Sequence, residues 1–65
     1  MRNPAYSRAE IGFIRSYILM NGHMTYKDAE SALDDYINAT GVKRVGAAIY
    51  MAAWRFERGY YDHLC

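Results

Sequence analysis

The residues able to do chemistry in this sequence are few. His23, His63 and Cys65 are its soft metal ligands, and Asp62 offers a carboxylate close to the last two. Structural zinc sites pair ligands at short spacing in two places, and here only His63-x-Cys65 forms such a pair. That pair falls at the end of the chain, where a backbone is poorly tied down. His23 reads as a turn residue, and no metal or other cofactor is expected. Cys65 as a nucleophile would need a held base and a rigid support, and the last position supplies neither. Asp34 and Asp35 are adjacent carboxylates, but they fall on the outward side of an amphipathic segment. No desolvated cleft would raise a pKa there for acid–base work. A chain of 65 residues also has little room for a ligand cavity. The expectation is a protein without catalysis.

Two binding constellations remain. Lys43 and Arg44 sit at the expected start of a helix, where exposed amides and two cations would attract phosphate or carboxylate. Positive charge there opposes the helix dipole, as do Asp34 and Asp35 near the end of the preceding helix. The alternative reading is that the two pairs offset one another across Thr40-Gly41. Helix, short turn with Gly41, helix is also the outline of a helix-turn-helix, with Lys43, Arg44, Ala47, Ala48 and Met51 near the start of the reading helix. Against it, Ile37 is bulky where such units keep a small residue, and alanine and methionine make few base-edge hydrogen bonds. The second constellation is Tyr50, Trp54 and Tyr61, flanked by Met51 and Arg58, on the side of a helix opposite its core stripe. Tryptophan, tyrosine, methionine and arginine are the types enriched at protein interfaces. The competing reading is burial of this side by the first helix, or idle exposure.

The elements that must position these residues are helical. Ser7-Arg8-Ala9-Glu10 fits a capping box, with Tyr6 and Ile11 spaced as a hydrophobic staple. At about 100° per residue, Ile11, Phe13, Ile14, Tyr17, Ile18 and Met20 fill about half the wheel. Asn21-Gly22 closes the helix. Asn-Gly between two apolar runs is also a hairpin signal, which the upstream cap and the helical period oppose. Thr25-Tyr26-Lys27-Asp28 caps a second helix. Its inner side carries Tyr26, Ala29, Ala32, Leu33, Tyr36 and Ile37, and its outer side is acidic. That outer side reads either as solvated or as a dock for a basic partner. Thr40-Gly41 ends it. A third helix from about Val42 places Val45, Ala48, Ile49, Ala52, Ala53, Phe56 and Tyr60 on its core stripe, with small residues that let a neighbour approach. Gly59 is expected to end it.

Size and composition bound the rest. One domain is the most that 65 residues allow. A single core of that size supplies roughly 3–5 kcal/mol, so good helix packing or self-association must contribute. The hydrophobic fraction of 52% is that of a folded chain, and a formal net charge of +1 argues against a general polyanion binder. No apolar run reaches the eighteen or so residues of a membrane span. Arg2 is followed by Asn3-Pro4 where a signal peptide would turn apolar, and a complete small gene product is expected. The single cysteine fits a reducing cytoplasm.

The expectation is therefore an all-α, compact three-helix bundle over about 7–21, 25–39 and 42–58. It would bind another protein or protein complex through Tyr50, Met51, Trp54, Arg58 and Tyr61, with Asp34 and Asp35 as a second patch. Small chains with no chemistry and one adhesive face are common among inhibitors encoded by phages and mobile elements, anti-CRISPR proteins included. That association is one of size and character. A DNA-binding regulator using Lys43 and Arg44, and a homodimer built on the third helix, are the alternatives.

Overall fold

The computed structural model describes residues 6–60, so Asp62, His63, Cys65 and Tyr61 of the expected sites lie outside the described residues. Four helices follow one another: α1 Arg8–Asn21, α2 Tyr26–Ser31, α3 Leu33–Thr40 and α4 Gly46–Glu57. No strand occurs among the described residues, which removes the hairpin reading of Asn21-Gly22.

The local signals act as their chemistry dictates. Ser7 accepts from the amide of Glu10 at 3.2 Å, and the Glu10 carboxylate accepts from the amide of Ser7 at 2.7 Å. Thr25 and Asp28 close the same reciprocal pair at the start of α2. Each box satisfies two of the amides that a helix N-terminus leaves open. Gly22 and Gly41 stop α1 and α3 at φ of 85° and 73°, a region that costs glycine nothing. Beyond α4, the amide of Tyr60 donates to the carbonyl of Arg55 at 3.0 Å around Gly59.

The expected three helices become four because the second one breaks at Ala32, whose φ of −94° and ψ of 6° leave the helical region. Neither proline nor glycine stands there. The break has a packing consequence instead: α2 lies mainly against α4, and α3 against α1. Ala29 and Tyr36 both reach full burial, one on each side of the kink. The kink also moves Asp34 and Asp35 into the first turn of α3, where negative charge is favourable. They do not oppose a dipole at a helix end.

The third expected helix begins four residues late. Residues 42–45 are not helical, and Val45 is the extended N-cap of α4. Val45 is 69% exposed, so it does not belong to the core stripe; Tyr60, also placed there, is exposed as well. Met20, placed on the apolar arc of α1, is 83% exposed. It stands in the last turn of α1.

The core is Ile11, Ile14, Met24, Ala29, Ala32, Tyr36, Ile49, Ala52 and Ala53. Phe13 meets Tyr36 edge-on, with ring centroids 5.1 Å apart at 76°, a favoured aromatic geometry. The small residues of α4 allow the close approach of α2. A Cβ at Gly46 would stand 2.6 Å from Cγ of Glu30. Met24 fills the core from the α1–α2 connection, outside any helix, where its flexible thioether suits an irregular gap.

Candidate protein-binding surface

α4 decides the geometry of the expected face. Its inner side buries Ile49, Ala52 and Ala53, which turns Met51, Trp54 and Arg58 outward by the helical period. Trp54 is half-buried and Met51 is 41% exposed. The cover over Trp54 comes from its own chain. The Arg58 guanidinium lies 4.2 Å from the centroid of the Trp54 rings. The Tyr60 ring stands 6.4 Å away, tilted by 58°. Tyr50 is half-buried against Tyr26, with centroids 5.8 Å apart.

These residues form a pre-stacked patch. Arginine on tryptophan is the strongest of the side-chain cation–π pairings, and it holds two rotamer-rich groups in place before any partner arrives. Tyr60 joins the patch although its spacing had put it on the core stripe; the left-handed turn at Gly59 swings it back over α4. Asp34 and Asp35 are exposed on α3 and belong to a separate patch.

Lys43 and Arg44 do not open a helix. Lys43 is exposed in the non-helical link, and Arg44 turns inward to Glu10. The two-cation helix N-terminus is therefore not formed, and among the described residues no ion pair joins Lys43 or Arg44 to Asp34 or Asp35. Among the described residues the Arg44 partners are an acid from α1 and an aromatic ring.

That acid is the feature sequence reasoning missed. Glu10 is 1% exposed. It accepts from the Ser7 amide, from the Tyr36 hydroxyl at 2.7 Å, and from Nε and Nη2 of Arg44. The Arg44 guanidinium also sits 4.3 Å from the ring centroid of Tyr6, whose hydroxyl donates to the carbonyl of Ala48 at 2.9 Å. Burial alone would raise the Glu10 carboxyl; the Arg44, Ser7 and Tyr36 hydrogen bonds and the Arg44 charge outweigh it and hold it down at about 2. Burial and the Glu10 carboxylate push the Tyr36 hydroxyl up. One sequence signal existed: Glu10 is four residues before Ile14, hence on the apolar side of α1.

This network is built for holding, not for proton transfer. Glu10 is ionised throughout the neutral range. Asp28 is also held below its usual value, by the Thr25 amide and hydroxyl. Both shifts run opposite to those of a general acid. Among the described residues, no group of three or more His, Cys, Asp or Glu side chains could hold a metal ion. None of the described helices is long and apolar enough to cross a membrane. Comparison with protein-family models, with curated proteins and with solved structures found no match for this chain.

Proposed function

We propose that this chain is a non-catalytic protein-binding domain whose partner docks on the outer face of α4, through Met51, Trp54, Arg58 and Tyr60 with Tyr50 at the edge. The observation that carries this reading is the Arg58–Trp54 stack beside an exposed methionine. Tryptophan and arginine dominate interface hot spots, and methionine is enriched with them. A pre-ordered stack lowers the ordering cost that association otherwise meets. The small size, and the lack of a built reaction centre among the described residues, support a role as an inhibitor or regulator of a larger host complex, of the sort carried by phages and mobile elements, acting in a reducing cytoplasm.

The test is affinity capture from bacterial lysate with the native chain, Trp54→Ala, Arg58→Glu, and Arg15→Ala as a control on exposed α1. Far-UV circular dichroism establishes that each variant is folded. The proposal expects a partner retained by Arg15→Ala and lost by both α4 variants. A partner held equally by all four chains removes the α4 face from consideration. If the captured molecule is a second copy, sedimentation will show a dimer that Trp54→Ala dissociates.

A further inference from the structure

A concave surface lies between α1 and α3, and it shares no residue with the α4 patch. It is an open groove of about 320 Å³ lined by Phe13, Ser16, Tyr17, Met20, Asn21 and Asp35. This volume is at the small end of the range for binding sites. Its apolar part is open to solvent: Met20 is 83% exposed, beside the half-buried Phe13 and Tyr17.

The one charged side chain that lines the groove is an acid. Asp35 contributes a carboxylate that has no ion pair or hydrogen bond among the described residues. Asp28, the other acid near Tyr17, is already engaged by Thr25 and Tyr17. The last turn of α1 supplies Met20 and Asn21, and it carries no basic residue. A helix C-terminus bears about half a negative charge, which a cation in the last turn normally offsets. Asn21 only partly fills that role, donating its side-chain amide to the carbonyl of Tyr17 at 3.2 Å. An apolar floor, a free carboxylate and an uncompensated helix C-terminus thus converge on one groove.

We infer that the α1–α3 groove binds a segment of a partner protein that presents a lysine or arginine beside an apolar side chain. The apolar group covers Met20 and Phe13, and the cation lies between Asp35 and the end of α1. Exposed methionine suits such a contact because its side chain repacks around different shapes.

The inference is independent of the α4 proposal, and one titration separates them. The probe is an acetylated, amidated pentapeptide of alternating leucine and lysine. Its counterpart replaces lysine by glutamate. Each is titrated into isotope-labelled protein, and chemical-shift changes are followed at the Met20 methyl and the amides of Ser16, Tyr17, Asn21 and Asp35. The lysine peptide is expected to shift these signals saturably, and the glutamate peptide to leave them in place. Asp35→Asn should weaken the lysine peptide by about two- to fivefold, the range of one exposed charge pair. Trp54→Ala should leave the affinity unchanged, so that loss of the α4 proposal would not be mistaken for loss of this one. Equal shifts from both peptides, shifts confined to α4, no saturable shift at millimolar peptide, or an unaffected Asp35→Asn variant would each overturn the inference.

Discussion

Replacing Glu10 by glutamine removes one charge and almost no volume. The wild-type carboxylate accepts from Ser7, Tyr36 and Arg44 together, and a glutamine offers one acceptor oxygen and an amide that must itself donate. Removing one partner of a buried pair typically costs about 3–5 kcal/mol. The lower end applies here, because the Arg44 side chain is 17% exposed and can recover water. Linkage gives an independent figure. The folded carboxyl titrates at about 2 against an ordinary 4.5. At about 1.4 kcal/mol for each pKa unit this is about 3 kcal/mol of stability. The sign follows from the depressed pKa. The stability is fully present above pH of about 4.5 and is lost as pH falls towards about 2. A core of this size supplies roughly 3–5 kcal/mol in all, so the variant should be near its unfolding midpoint in water. The assay is urea denaturation followed by Trp54 fluorescence across this pH range. Wild type should lose most of its stability over the acid limb, and Glu10→Gln should be weak at neutral pH with a much flatter limb. A variant that loses less than about 1 kcal/mol at neutral pH, or keeps the full acid limb, would refute the role assigned to this network.

Two further predictions test the backbone and the core. Gly12 and Gly41 should respond with opposite sign to alanine, since a Cβ meets nothing at either site. Gly12 is an exposed interior position of α1 and should gain about 0.8–1 kcal/mol, whereas Gly41 is at φ of 73° and should lose about 1 kcal/mol; denaturation midpoints that move the same way would contradict this account. Met24→Ala should cost about 2–5 kcal/mol as a buried large-to-small change, enough to abolish the cooperative thermal transition, and a variant that melts like wild type would show that the connection before α2 is not part of the core.

Much of this fold was legible because it is local. The boxes at Ser7 and Thr25 need only residues three apart, and both form. Gly22 and Gly41 mark helix ends by a backbone preference that no other residue shares as cheaply. Ile49, Ala52 and Ala53 follow from the helical period and are buried. The outward turn of Met51, Trp54 and Arg58 was legible for the same reason, since it is the complement of that stripe.

What the tertiary structure alone decided is where long-range partners overrule the pattern. Nothing at Ala32 marks a break; the helix bends there so that one half can pack on α4 and the other on α1. The spacing of Val45 is that of a core residue, but it is exposed, because residues 42–45 are not helical and Arg44 turns back to Glu10. Met24 lies outside every helical stripe of the sequence and is fully buried. A charge becomes tolerable in the interior only when its partners arrive from 26 and 34 residues away, and no window of local sequence contains both sides of that pair. The sequence alone determined that the chain is helical, where its helices are capped, and that α4 has two unlike faces. Packing determined how many helices there are, that Arg58 and Tyr60 cover Trp54, and which carboxylate the molecule keeps for itself.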